Sequence, residues 1–164
     1  MGKDVSLIRI AAGNQSATVR IAARGQWCLN YDMRHPRVMA FEQKLKEVFD
    51  QLDHELEARY GNRYALHPAR PPRHETGNPE MDGLIDVGAA FSPGFGSRYG
   101  EGYTVELRLV TLDPVDPALL QDIENQVVRR LRELLPGAFP ERDLKVDRDG
   151  HVLKIFGDLS LGPA

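Results

Sequence analysis

The residues best suited to chemistry lie in a glycine-rich segment, residues 92–102, between two apolar strand patterns. Its glycines are Gly94, Gly96, Gly100 and Gly102. Glycine lets backbone N–H groups approach an anion closely, and the intervening Ser97 and Arg98 add a hydroxyl and a charged fork. We therefore predict that these six residues can bind a phosphate or carboxylate group of a small ligand.

This segment departs from the known phosphate-binding loops, which follow a strand and open a helix. It joins two predicted strands, it lacks a Gly-Lys-Ser/Thr ending, and Tyr99 stands where the dinucleotide fingerprint needs its third glycine. Ser97 also lacks the spacing of a nucleophile elbow, because Phe95 and Tyr99 lie two positions before and after it. The alternative interpretation is a plain hairpin tip.

A second candidate is the basic segment 59–74, which contains no acidic residue. We predict that its partner-binding residues are Arg59, Arg63, Arg70, Arg73 and His74. Tyrosines lie among them, and aromatic rings beside basic groups can hold a nucleic-acid strand. An acidic protein partner would explain the same charges, and the prolines of residues 61–80 are typical of an ordinary connection.

The sequence shows no metal-binding or catalytic set of residues. Acidic residues and His74 cluster between positions 74 and 86, but without the His-x-x-x-His spacing of a helical metal site. The single cysteine, Cys28, excludes an intrachain disulfide and a cysteine-rich zinc site. We predict no metal, no cofactor and, on balance, no enzymatic activity.

The composition is that of an ordinary globular protein, with 41% apolar and 27% charged residues among 164. The net charge of −3 gives no general attraction to nucleic acid or to anionic membranes. No signal peptide or membrane-spanning run is visible, so we expect a soluble cytoplasmic protein that forms one domain over residues 1–164.

Two segments have the pattern of amphipathic helices. Over residues 37–60 the apolar positions recur every three or four residues, with Pro36 in the first turn and Gly61 just past the end. In the second, Asp116 can cap the helix, Pro117 suits its first position, and residues 136–137 end it. Neither helix can bury its apolar stripe alone.

The remaining patterns are strands and connections. Residues 84–91 and 103–112 alternate apolar and polar side chains, and residues 144–159 form a hairpin around Asp149-Gly150 in which Val146 faces Leu153. The polar residues of these strands should lie on a solvated outer face of the sheet; they include Asp86, Glu106, Arg108, Lys145, Asp147 and Lys154. Residues 5–10 and 17–23 read as strands of an N-terminal arm, residues 1–24, and residues 24–35 and 61–80 read as connections.

These patterns predict an α+β fold of order β-β-α-β-β-α-β-β, with a mainly antiparallel sheet of four to six strands and two amphipathic helices on one face. The leading functional hypothesis is a small protein-interaction or assembly domain, in which the arm pairs with a second copy of the chain. The alternatives are a ligand-binding domain or small enzyme that uses residues 92–102, and nucleic-acid binding through residues 59–74.

Overall fold

The computed structural model describes the backbone of residues 7–12, 15–21, 27–30 and 35–160, and the side chains of residues 35–160. The chain divides into two compact units, residues 1–39 and 40–164. Our expectation of one domain over residues 1–164 stays a prediction.

The first unit contains three antiparallel strands in the order β1-β2-β3: β1 Leu7–Ala12, β2 Gln15–Ile21 and β3 Trp27–Asn30. The predicted strand pair is present, with Leu7 opposite Arg20. The interpretation of residues 24–35 as a connection is wrong, because β3 pairs with β2 there. The rest of the predicted arm, residues 1–6, 13–14 and 22–24, lies outside the described residues, as do all of its side chains.

The helices form where their sequence signals place them. Helix α1 spans Pro36–Tyr60. Helix α2 spans Pro117–Ala138, and the Asp116 carboxylate accepts a hydrogen bond from the Ala118 N–H at its start. The helix runs two residues beyond Pro136, because a proline in the last turn removes only one hydrogen bond and does not force an immediate stop.

A four-stranded antiparallel sheet completes the second unit, in the order β4-β5-β7-β6. Its strands are β4 Ile85–Ser92, β5 Gly102–Leu109, β6 Leu144–Asp149 and β7 Val152–Gly157. The predicted second strand ends early, at Leu109, where the Thr111 N–H donates to the Leu109 carbonyl in a turn. Residues 61–84 are irregular apart from a short 3₁₀ helix, Pro79–Met81.

One face of this sheet and both apolar stripes form a single core. The strands contribute Ile85, Val87, Tyr103, Val105, Val146, Leu153 and Ile155. The helices contribute Phe41, Leu45, Val48, Leu52, Leu56, Ile123, Val127, Leu131 and Leu135, among others. The alternation along each strand therefore leaves Lys154 and Phe156 on the opposite, outer face.

The terminal hairpin keeps its predicted faces but not its predicted register. Val146 lies opposite Ile155, not Leu153, so the turn residues are Gly150 and His151. Gly150 has a φ of 65°. His151 has a negative φ, because His74 is the only described residue other than glycine whose φ is positive. A positive φ at the first turn residue only is the type II′ pattern, which favours glycine first. The shift of two residues preserves the inward side of each strand.

The predicted α+β class, with an antiparallel sheet and two helices, is confirmed. The predicted order of elements is wrong by one strand, since the described residues before α1 form three strands and not two. No helix in the described part of the chain combines the length and apolar composition that a membrane crossing requires.

Candidate functional site

The glycine-rich segment, residues 92–102, folds back over the outer face of the sheet. The Tyr99 ring stacks on the Phe156 ring with 3.9 Å between centroids and 10° between planes. The Tyr99 hydroxyl donates a 3.0 Å hydrogen bond to the Asp147 carboxylate. Both contacts are to outer-face residues of β6 and β7, so this segment is a packed loop and not a free hairpin tip. We call it the folded loop.

Lys154 on β7 holds the folded loop to the outer face of the sheet. Its side chain is only 2% exposed, which is rare for lysine unless its donors are satisfied. Its Nζ donates to the Ser97 hydroxyl over 2.7 Å and also to the Gly100 carbonyl. The expectation that Lys154 lies on a solvated face is wrong, because the folded loop covers it. Its position in an otherwise apolar run, between Leu153 and Ile155, was the available signal.

Asp149 closes the same network at the sheet edge. The Ser97 hydroxyl donates to one carboxylate oxygen, and the Arg98 N–H donates to the other over 3.3 Å. The hydrogen bond from Ser97 is the main cause that lowers the pKa of Asp149, with further contributions from the Arg98 N–H and the Lys154 charge. The Asp149 carboxylate is therefore anionic. It accepts the hydrogen bonds of the Ser97 hydroxyl and the Arg98 N–H, which the anion-binding hypothesis assigns to a ligand.

The glycines of the folded loop have two different roles. A Cβ at Gly94 would lie 2.1 Å from the Gly100 backbone, and one at Gly102 would lie 2.4 Å from the Ile155 carbonyl oxygen. These two glycines allow close backbone approach. Gly96 and Gly100 have open space around them, but their φ values of 76° and 71° disfavour other residues. The glycines thus let the loop close on itself and on the sheet.

The structure brings the six predicted ligand-binding residues together in one loop, and Ser97 and Arg98 form hydrogen bonds with other groups of the chain. The Ser97 N–H donates to the Gly94 carbonyl, and an Arg98 Nη2 donates to the Arg148 carbonyl over 2.9 Å. Arg98 keeps an exposed side chain, 3.9 Å from Asp149 at its Nε. Anion binding by this loop stays a prediction.

The loop also presents aromatic surface that the sequence interpretation did not single out. Phe95 is 94% exposed at the loop, and Phe91 is 55% exposed at the end of β4. The Phe91 ring meets Tyr103 edge-on, with 5.6 Å between centroids. Phe95 therefore projects from a loop whose neighbouring residues, Ser97 and Tyr99, are fixed by contacts to the sheet.

The basic residues of segment 59–74 fall into two groups: some bond to other groups of the chain and some are exposed to solvent. Arg70 donates to four carbonyl oxygens, those of Glu80, Asp82, Gly83 and Ile85, at 2.6–3.3 Å. It thereby ties the irregular connection to the start of β4. The side chains of Arg59 and Arg63 are exposed, as is His74 with its φ of 73°.

Arg73 forms a buried ion-pair cluster with two aspartates. Its Nη1 lies 2.5 Å from Asp53 on α1 and 3.3 Å from Asp82. Arg70 and Arg73 thus have partners within the chain, while Arg59, Arg63 and His74 remain accessible. Partner binding by the five predicted residues stays a prediction.

The two aspartates of the Arg73 cluster differ in their protonation. Burial raises the pKa of Asp53 to about 7, although the Arg73 charge opposes the shift. Its Oδ2 is buried without a hydrogen-bond partner. For Asp82, burial also favours the neutral form, but the N–H and hydroxyl of Thr76 together with Arg73 outweigh it and lower the pKa. The cluster therefore holds one carboxylate that is fully paired and one that is only partly paired.

Within residues 35–160, no group of three or more histidine, cysteine or acidic side chains is arranged to hold a metal ion. The rings of His54 and His74 lie 6.4 Å apart between centroids, without a third ligand. The predictions of no metal and no cofactor remain predictions for the whole chain.

Comparison with known proteins places residues 36–157 in one protein family. The family model that matches this range is described as "Uncharacterised protein". A relative from Borreliella burgdorferi, described as "Uncharacterized protein", is 38% identical over 117 residues, which cover 71% of this chain and 91% of the relative. No solved structure matches. These matches give no indication of catalysis, and they show that the chain belongs to this family.

Proposed function

We propose that this member of the family is a non-catalytic protein-interaction domain whose binding element is the folded loop, with Phe95 as its central contact residue. The observation that supports the proposal most directly is that Phe95 is 94% exposed on a loop whose neighbouring residues are held by contacts to the sheet. Lys154 fixes Ser97 and Gly100, and Tyr99 stacks on Phe156.

Anchoring matters because a pre-organised loop loses little conformational entropy when it binds. Large aromatic side chains that enter a partner's pocket contribute a large share of the affinity at protein interfaces. The residue types of the folded loop, mainly glycine, serine, tyrosine and arginine beside an exposed phenylalanine, are also those that antibody binding loops favour. These features support a protein partner with an apolar pocket.

The proposal predicts that Phe95→Ala lowers partner affinity while the fold is retained. The first step isolates proteins that co-purify stoichiometrically with the tagged full chain from its native cells, and sedimentation of the pure chain shows whether the partner is a second copy. The purified partner is then titrated against each variant. We expect Phe95→Ala to weaken binding by about 30-fold, the equivalent of about 2 kcal/mol for a central contact residue.

Leu112→Ala is the matched control. Leu112 is 73% exposed, is also apolar, and lies outside the folded loop in the connection that follows β5. We expect it to change the affinity by less than about twofold, as for a residue outside the interface. Equal effects of the two substitutions, or the absence of any partner or self-association that depends on Phe95, would overturn the proposal.

The ligand-binding alternative makes a different prediction for the same loop. If Arg98 and Ser97 bound an anionic ligand, a phosphorylated metabolite should raise the melting temperature of the wild-type chain, and Arg98→Ala should remove that shift. The interaction proposed above requires no such shift. The nucleic-acid alternative requires binding through Arg59 and Arg63 that weakens as salt rises.

A further inference from the structure

A second surface lies between α2 and β6 and adjoins the folded loop at Asp147. It is a depression of about 480 Å³, and its lining includes Arg129, Arg132, Arg148 and Asn125. That volume is within the range of small-ligand pockets, about 300–1,000 Å³. Three guanidinium groups around one depression stand out in a chain whose net charge is −3.

Two of the three guanidinium groups are held in place. The Nε and Nη2 of Arg132 both donate to the Val146 carbonyl, over 3.1 and 2.9 Å. The Nη2 of Arg148 donates to Glu124 over 2.7 Å. Such contacts orient each side chain and leave its other donors for a ligand. Within residues 35–160, the Arg129 side chain makes no hydrogen bond or ion pair, so its whole fork is unused.

The acidic residues at this depression already have partners. Glu133 accepts a hydrogen bond from Arg130. Asp147 accepts hydrogen bonds from the Tyr99 hydroxyl at 3.0 Å and the Arg148 N–H at 2.8 Å, and lies 3.9 Å from Arg132. Glu133 and Asp147 reduce the positive potential of the depression, but they do not bond to the Arg129 guanidinium group or to the Nη1 of Arg132.

We propose that this depression binds a small phosphorylated molecule, with Arg129 and Arg132 contacting its phosphate groups. Guanidinium groups match phosphate oxygens in paired, charge-assisted hydrogen bonds. The arginines come from a helix and, through Arg148, from a strand of the same core, so the site is built on regular elements. It uses none of the residues proposed to contact the protein partner.

The test titrates inorganic pyrophosphate into the full chain at low ionic strength and follows the arginine side-chain N–H resonances. We expect saturable binding with shifts at Arg129 and Arg132. Arg129→Ala should weaken binding by about tenfold or more, as expected for a lost hydrogen bond between charged groups. Arg129→Lys should recover only part of that loss, because it restores the charge without the fork.

The control is Arg63→Ala, which removes the same charge at an exposed position of the basic segment 59–74. We expect it to leave pyrophosphate affinity within about twofold, since Arg63 does not line the depression and its removal costs no hydrogen bond to the ligand. No saturable binding, or equal weakening by Arg63→Ala, would overturn the proposal. Binding of a single-stranded oligonucleotide without binding of pyrophosphate would also overturn it, in favour of a nucleic-acid surface. Melting curves establish that each variant is folded.

Discussion

Lys154 and Asp53 are both almost fully buried, and their surroundings give them different roles. Lys154 donates to two oxygens of the folded loop, so its burial fixes that loop. Asp53 has one oxygen on Arg73 and a second oxygen without a partner. A buried polar group that is only partly satisfied costs stability, and the cost is greatest when the group is charged.

This difference gives Asp53 a pH-dependent effect on stability. Its pKa is about 7 in the folded chain, against an ordinary value of 3.8. Because the folded state holds the proton more tightly, the contribution of Asp53 is full below about pH 4 and is lost as the pH rises through 7. We expect the free energy of unfolding of the wild type to fall by more than about 1 kcal/mol relative to Asp53→Asn over this range.

Urea unfolding of both proteins between pH 4 and pH 8 measures this difference directly. Glu47→Gln serves as the control, because Glu47 is an exposed carboxylate on the same helix and is not among the charges that shift the pKa of Asp53. Parallel stability profiles for the wild type and Asp53→Asn would show that the folded chain does not hold the Asp53 proton.

At the scale of elements, the folded loop depends on glycine for two separable reasons. At Gly94, the φ of 86° and the close Gly100 backbone both exclude a side chain. At Gly96, only the φ of 76° disfavours one, since no atom lies within 4 Å of the Cβ position. The folded loop can therefore be disturbed at one glycine far more than at the other.

We expect Gly96→Ala to lower the free energy of unfolding by about 1 kcal/mol, the usual cost of a left-handed conformation in a residue with a Cβ. Gly94→Ala should cost at least about 1 kcal/mol more, because the Gly100 backbone must also move. Chemical denaturation of both variants measures the two costs. Equal costs, or a larger cost at Gly96, would mean that residues 94 and 100 are not packed together.

Both helices and every described strand except β3 could be predicted from sequence, whereas the site could not. Both helices follow from apolar stripes and terminal signals such as Asp116-Pro117, which are encoded within a few residues. The folded loop depends on Lys154 and Asp149, which lie about 50 residues along the chain, and on a register that the sequence interpretation placed two residues away. Interactions of this range leave no periodic signal, so the sequence left residues 92–102 open between an anion-binding loop and a plain hairpin tip.

In the whole molecule, the core formed by the described side chains, those of residues 35–160, lies in the second unit. Its buried residues run from Phe41 to Ile155, within the range 36–157 that the family model matches. The folded loop and the arginine-lined depression lie in the same range. We infer that the second unit carries both proposed binding surfaces.

A chain of residues 36–164 should therefore fold by itself. We expect a cooperative urea transition when the helix signal is followed by circular dichroism, because every side chain of the described core lies in this range. In this shortened chain, Leu52→Ala should lower the free energy of unfolding by about 2–5 kcal/mol, since Leu52 is fully buried. A gradual, non-cooperative loss of signal would show that residues 1–35 are required for the core.

We propose above that Phe95 on the folded loop contacts a protein partner. Its most direct test is photo-crosslinking in the native cells, with p-benzoylphenylalanine placed at Phe95 or, as a control, at Leu112 in otherwise wild-type full chains. We expect a discrete crosslinked species from position 95 that position 112 does not give. An excess of the wild-type chain should suppress this species, and an excess of Phe95→Ala should not. No discrete species from position 95, or the same products from both positions, would show that Phe95 does not contact a partner.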